Sequence, residues 1–357
     1  MKRTSAITNA AVAAALLLAG SLAFPAPALA AEDDVTWSVA PASEQGPDGR
    51  TRFEYAVDPG VTITDTVAIT NFSATEQTFQ LYAADGVNEF DGGEYSLRTK
   101  SETNTDLGVW TTLATTEVTL GPNQRSDVPF TIVVPANATP GDHSAGIVAA
   151  FTRTGTGEGQ AVDVEQRVGS RIYLRVSGDI QSNLVASGLV AGYDSGFNPF
   201  SGDLDGHYTI QNNGNVRLPL EQVIRVSGPF GIPLGEFEGE AVPDLLPGQL
   251  VDIPVAIANI APAFLLTVDA TITTADAAGE PSAETATATT SATAWAVPWM
   301  ILLALLLIAG LIVLVVWRRR VNRARMHAAI EQLRADGREQ AAVEAASNER
   351  EHVGSRA

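Results

Sequence analysis

The sequence predicts an all-β chain: two immunoglobulin-like β-sandwich domains, then one transmembrane α-helix and a short helical cytoplasmic tail. Three observations carry this. From about residue 35 to 274, β-branched and aromatic residues alternate with polar ones, the period-2 sign of half-buried strands. Turn residues punctuate those runs, and no long stretch there shows helical apolar spacing. Finally, Ala294 to Trp317 forms a run of 24 uncharged residues, 14 of them Leu, Ile or Val.

The ends of the chain set an expected topology. Residues 1–30 read as a secretory signal peptide, with Lys2 and Arg3 before an apolar core and Ala28-Leu29-Ala30 as the cleavage site. Residues 294–317 suffice as a helix to cross a hydrocarbon layer of about 30 Å. Trp295, Trp299 and Trp317 mark its ends, and Arg318, Arg319, Arg320, Arg323 and Arg325 follow. An arginine block stays in the cytoplasm by the positive-inside rule. The expected protein is therefore single-pass in the cell membrane, with its N-terminal domains extracellular and residues 318–357 as a basic cytoplasmic tail.

Charge and cysteine usage agree. Residues 32–293 hold 35 acidic and 11 basic side chains, a net charge of −24. Such a surface repels nucleic acid and anionic membranes, so no nucleic-acid partner is expected. The chain has no cysteine, so it lacks disulfide staples and relies on its apolar cores.

In residues 31–180, strand patterns recur at Phe53/Tyr55/Val57, Val67/Ile69, Phe79/Leu81/Ala83, Val118/Leu120, Phe130/Ile132/Val134 and Ile172/Leu174/Val176. Asp58-Pro59-Gly60, Gly121-Pro122-Asn123 and Pro140-Gly141-Asp142 supply turns between them. In residues 181–274 the pattern restarts. Ile210 leads to Asn212-Asn213-Gly214, and Leu246-Pro247-Gly248 precedes the run Val251/Ile253/Val255/Ile257. This order echoes Ile69-Thr70-Asn71 and Leu120-Gly121-Pro122, which predicts a second, similar sandwich. Residues 275–293 are almost wholly small or polar and read as a flexible Ala/Thr-rich stalk. The tail from Asn322 to Ala346 is rich in helix formers, interrupted at Gly337.

Val39 to Ser177 resembles the peptidoglycan-binding domain of the WxL-interacting proteins, a family of bacterial cell-surface proteins. The resemblance lies in Phe53–Gly60, Asp65–Asn71, Thr78–Asp85, Leu120-Gly121-Pro122, Val133-Val134-Pro135, Pro140–His143 with Gly146–Ala149, and Arg167–Leu174, taken in their order and spacing. It implies a non-catalytic cell-wall scaffold: the first domain binds peptidoglycan and the second binds a surface protein bearing WxL motifs. The second domain here matches that pattern poorly.

Sugars bind flat aromatic faces, and stem peptides carry carboxylates and amines. The expected ligand-binding residues are Tyr82, Asp85, Tyr95, Arg98 and Trp110, with Lys100 nearby. Most fall in a polar, glycine-containing stretch from Asp85 to Trp110 that has little strand alternation. Tyr82 and Trp110 also fit core positions of flanking strands. Arg167, Arg171 and Arg175 share one strand face, where they meet either a ligand carboxylate or the domain's own acids.

No catalytic, metal or cofactor constellation stands out. Asp142-His143-Ser144 is adjacency rather than a triad, and a turn before a strand explains His143. Asp203-Leu204-Asp205-Gly206 starts like a calcium loop, but Gly214 stands where the closing Glu belongs. Asn71-Phe72-Ser73 and Asn137-Ala138-Thr139 match the N-glycosylation pattern.

Overall fold

The computed structural model describes residues 35–43, 45–157, 160–274 and 285–354. The expected signal peptide and the first ten residues of the expected stalk lie outside the described residues.

The first sandwich is built from β1 (Trp37–Ser43), β2 (Gly46–Pro47), β3 (Phe53–Val57), β4 (Thr62–Asn71), β5 (Gln77–Asn88), β6 (Tyr95–Leu97), the short helix α1 (Leu107–Trp110), β7 (Thr111–Leu113), β8 (Glu117–Leu120), β9 (Arg125–Val133), β10 (Gly141–Gly157) and β11 (Gln160–Val176). One sheet runs β2-β1-β4-β9-β7; the other runs β3-β11-β10-β5-β6, with β8 also paired to β5. Phe53, Ile69, Phe79, Leu81, Phe130, Ile132, Ile147 and Ile172 fill the space between them. These are the inward members of the alternating runs, and each full burial stabilises by roughly 1.5–3 kcal/mol.

The second sandwich comprises β12 (Leu184–Asp194), β13 (Gly202–Asn212), β14 (Leu218–Ser227), β15 (Pro233–Glu238), β16 (Val242–Leu245), β17 (Leu250–Ile260), β18 (Phe264–Thr274) and β19 (Thr287–Ala296). Its sheets run β12-β13-β17 and β15-β14-β18-β19, with β16 on β14. Leu204, Tyr208, Ile210, Val251, Val268 and Ile272 are fully or almost fully buried in its core. The calcium-like Asp203-Leu204-Asp205-Gly206 lies inside β13, paired on both sides, and forms no loop.

Two expected boundaries are corrected. Residues 287–293 are not stalk but part of β19, which pairs antiparallel with β18 from Thr287↔Thr273 to Ala296↔Phe264. Ala288, Ala294 and Ala296 point into the core while Thr287, Thr289, Ser291, Thr293 and Trp295 face outward. The alternation is that of a strand, but its inward residues are alanines, too small to register as apolar. The expected membrane helix at 294–317 therefore starts late. Ala294–Ala296 belong to β19, Val297-Pro298 link, and α2 runs Trp299–Gly354. Pro298 ends the strand, lacking the N–H a ladder needs, and its carbonyl accepts from Leu302 N–H at 3.0 Å to open the helix. α2 passes through Gly337 unbroken, since one glycine costs only about 1 kcal/mol. Trp299–Ala341 is long and apolar enough to cross a membrane.

Candidate binding surface

The polar stretch from Asp85 to Trp110 folds back over the outer face of the sheet containing β5, β10 and β11. Glycines make room for it. A Cβ at Gly146 or Gly169 would lie 2.5 or 2.7 Å from the Leu97 side chain, and one at Gly86 would lie 2.6 Å from the Tyr95 hydroxyl. Tyr95 donates to the Ala145 carbonyl (3.1 Å) and lies 3.0 Å from the Ser144 hydroxyl. Burial raises its pKa above the usual phenol value.

The five expected ligand residues part company here. Asp85 is buried, and its carboxylate accepts from the backbone N–H groups of Thr105 (2.5 Å), Asp106 (3.0 Å) and Gly108 (2.6 Å). Its carboxylate is committed to organising the insertion, a structural role that the expected ligand contact did not include. The donors lie in a segment without strand pairing, and a carboxylate on the neighbouring strand β5 satisfies N–H groups that no ladder reaches.

Trp110, the last residue of α1, is half-buried against the first core with its ring 4.7 Å from that of His143. Of the two places the sequence allowed it, the structure favours packing against the core. Arg98 lines a cleft of about 200 Å³ between the sandwiches, with Asp85, Asp106, Asp142, Ser144 and Leu246 among its walls.

Tyr82 and Tyr95 lie on the same outer face, each near Leu97. Tyr82 packs with Leu97 against Ala84, Val148 and Ala150 on the outer face. Tyr95, Leu97, Val148, Arg167, Gly169 and Arg171 line an open groove of about 310 Å³. Arg171 lies over the Tyr95 ring at 4.2 Å, and Arg167 donates to the Leu97 carbonyl at 3.2 Å. The groove thus combines two guanidinium groups, an aromatic ring and an aliphatic wall, and it can take a carboxylate beside an apolar or sugar face.

The basic stripe is partly engaged within the chain. Arg175 grips Asp142 through Nε (2.6 Å) and Nη2 (2.9 Å). Asp142 also accepts from the backbone N–H of Arg217 in the second sandwich at 2.9 Å. Asp244 of that sandwich accepts from the Tyr173 hydroxyl at 3.0 Å and pairs with Arg171 (3.6 Å) and Arg217 (3.5 Å). Burial, then the Asp244 charge, raises the Tyr173 pKa. The insertion adds a backbone clasp. Asp252 N–H donates to the Phe90 carbonyl (2.6 Å), Gly92 N–H to the Asp252 carbonyl (2.8 Å) and Leu246 N–H to Asn88 Oδ1 (2.9 Å).

Asn88, Asp244 and Arg217 were not legible as a group, because they meet only through the fold. Asn71 is fully buried with its amide donating to three carbonyls, so the glycosylation pattern there marks a structural lock. His143 Nδ1 lies 2.7 Å from Asp106 Oδ1 and Nε2 lies 2.9 Å from the Thr139 carbonyl. Both ring nitrogens are engaged. Among the described residues no group of three or more His, Cys, Asp or Glu side chains is placed to hold a metal ion.

No family model matches the sequence, and no curated protein matches it. Solved structures show similarity at low identity. The class 5 fimbriae chaperone CfaA is 11% identical, covering 71% of this chain and 99% of its own at a TM-score of 0.35. The CupB2 chaperone of Pseudomonas aeruginosa is 11% identical over 70% and 99%, with a TM-score of 0.31. The E. coli chaperone DraB is 10% identical over 66% and 90%, with a TM-score of 0.30. Similarity of this order transfers neither activity nor partner, so a function for this chain has to rest on its own geometry.

Proposed function

We propose that this chain is a membrane-anchored cell-surface protein that binds peptidoglycan without turnover and acts as a cell-wall scaffold. The observation that carries the reading is the groove under Tyr95, Leu97, Arg167 and Arg171, a cationic, partly apolar site on a strongly acidic chain. Stem-peptide carboxylates match its guanidinium groups, and glycan faces match its ring and aliphatic wall. The apolar helix with its arginine block would tether the bound wall to the membrane, and the signal-like leader fits export.

The test incubates the full chain, in detergent, with purified wall sacculi. The parent chain should sediment with them, and an Arg167→Gln, Arg171→Gln variant should lose about tenfold or more in retention, roughly the worth of one charge-assisted hydrogen bond. Retention of the parent no better than that of albumin defeats the proposal.

A second reading, a protein-binding scaffold for another surface protein, is favoured by one observation. The β10–β11 hairpin outruns its neighbours. Its pairing with β5 ends at Ala150↔Gln80 and that with β3 begins at Ile172↔Phe53, whereas its own ladder continues to Gly157↔Gln160. The projecting ribbon offers backbone edges for strand addition. Crosslinking from Thr152 in cells that returned one secreted protein, alongside absent wall retention, would favour it.

A further inference from the structure

The end of the second sandwich facing away from the first gathers several exposed aromatic side chains. Strand register places four segments there. Asp194 pairs with Asp203 across the 195–201 loop, Gly202 with Ile260, Ser227 with both Pro233 and Thr267, and Phe264 with Ala296. The tips of β12–β13, β14–β15 and β17–β18 thus gather beside the point where β19 passes through Val297-Pro298 into α2.

Each tip carries exposed apolar side chains: Phe197 (92% exposed) and Phe200, Phe230 (103%) and Ile232, and Phe264, with Trp295 and Trp299 next to them. None of the three tips contains a charged residue from 195 to 202, 228 to 235 or 258 to 266, although residues 32–293 carry a net charge of −24. The opposite end of this sandwich, at Asn213–Asn215 and Leu246–Gly248, is polar and joined to the first sandwich.

Backbone geometry adds a separate observation. Phe230 (φ 62°) and Phe264 (φ 66°) sit in the left-handed region, which a bulky side chain rarely adopts. Such strain costs of order 1–3 kcal/mol, and more than half of each ring lies in solvent, so burial within the protein repays little of it. An aromatic held outward at a cost points to something outside the chain.

We propose that this end of the second sandwich is seated in the headgroup layer of the bilayer that α2 crosses, with the three Phe-bearing tips inserted at the interface. The occupant is a lipid surface because the tips adjoin the first turn of an apolar span across two linking residues, and because aromatic rings favour that layer. The loops at 195–202, 228–235 and 258–266 carry no acidic side chain, so the inserted segments escape the repulsion that Asp194, Asp203 and Glu236 meet just above them at anionic lipid. The sandwich then stands upright on the membrane and does not swing on a tether. The inference rests on the membrane reading of α2, and the test separates the two.

The chain has no cysteine, so single-cysteine variants can carry an environment-sensitive fluorophore without background. Full-length Phe197→Cys, Phe230→Cys, Phe264→Cys, Leu307→Cys and Phe72→Cys are labelled and reconstituted in vesicles of phosphatidylethanolamine and phosphatidylglycerol. Phe72 is a phenylalanine as exposed as Phe264, at the far end of the first sandwich, and controls for the dye. The three tip labels should shift to the blue and lose about half their emission to a headgroup-depth quencher lipid, while Phe72→Cys stays water-like. Tip labels as water-like as Phe72→Cys, with Leu307→Cys buried, overturn the seating and leave the span intact. A water-like Leu307→Cys overturns the span and the seating with it.

Discussion

Asn71 and Asn212 occupy the same place in the two sandwiches and hold the same lock. Asn71 Nδ2 donates to the carbonyls of Thr75, Leu120 and Gly121, and its Oδ1 accepts from Ser73 N–H. Asn212 Nδ2 donates to those of Val216 and Leu245, and its Oδ1 accepts from Gly214 N–H. Pairing extends the match: β1-β4-β9 corresponds to β12-β13-β17, and β6-β5-β10-β11, with β8 on β5, to β15-β14-β18-β19, with β16 on β14. The sandwiches differ in their connections: between β1 and β4 the first adds β2 and the edge strand β3 where the second has only residues 195–201, and the connection after β5 or β14 differs further. Between β5 and β8 the first inserts residues that cover its own sheet and clasp the second. Between β14 and β16 the second presents Phe230 to the outside. A shared framework with divergent connections locates the special chemistry in the connections, one turned to the partner sandwich and groove, the other to the end beside α2.

The correspondence makes β19 the counterpart of β11, a full sandwich strand and no tether. The most severe way to break the comparison is to remove it. A chain ending at residue 290 loses the inward Ala292, Ala294 and Ala296 and leaves Leu266 and Val268 of β18 without half their ladder. The loss should be about 5 kcal/mol or more, comparable to the whole stability of an ordinary domain. A chain ending at 297 keeps the strand. Urea unfolding and protease digestion of the two should show a loosened second sandwich only for the shorter one. Equal resistance would mean that β19 is dispensable and the match with β11 superficial.

The lock gives the next largest effect. Asn71→Ala and Asn212→Ala each strip the buried partners from two or three carbonyls and one N–H, at about 3 kcal/mol. The two variants should fall by similar amounts in denaturant, each with faster hydrogen exchange in its own sandwich. If one is silent, the resemblance between the two turns is one of sequence only.

Much of this was legible before the fold. The alternating runs around Phe53, Phe79, Phe130, Ile172, Ile210 and Val251 are strands, because β-branched and aromatic residues at period 2 admit little else. The echo of Ile69-Thr70-Asn71 in Ile210-Gln211-Asn212 is a repeat of topology. β19 was illegible since alanine and threonine alternate without contrast in hydrophobicity. At the site, the polar character of 85–110 pointed to an insertion but did not reveal that Asp85 is spent on backbone N–H groups or that Trp110 leans on the core. A buried carboxylate that accepts backbone N–H groups and an exposed one that binds a ligand share the same sequence signature. Tyr95 beside Arg171 and Leu97 over Gly146 are tertiary facts, which no spacing along the chain encodes.

The smallest effect tests whether the insertion is a separately held piece. Its end at Asp106 is tied to β10 through His143, and β18, the matching strand, contains no histidine. Burial disfavours the His143 charge, but Asp106 and the Thr139 carbonyl outweigh it and raise the pKa above its ordinary 6.5. The folded state thus binds this proton more tightly than the unfolded chain. Its stabilisation is fully present below the unfolded value and is lost as pH rises through the folded one. The loss should be confined to that window and smaller than the effect of either asparagine variant. After correction for intrinsic rates, exchange at 104–110 should quicken with rising pH in that window while 228–241 does not. His143→Gln should flatten the difference. A pH response of equal size in both connections would show that the insertion has no anchor of its own, and that the two sandwiches differ in length of loop and not in how the loop is held.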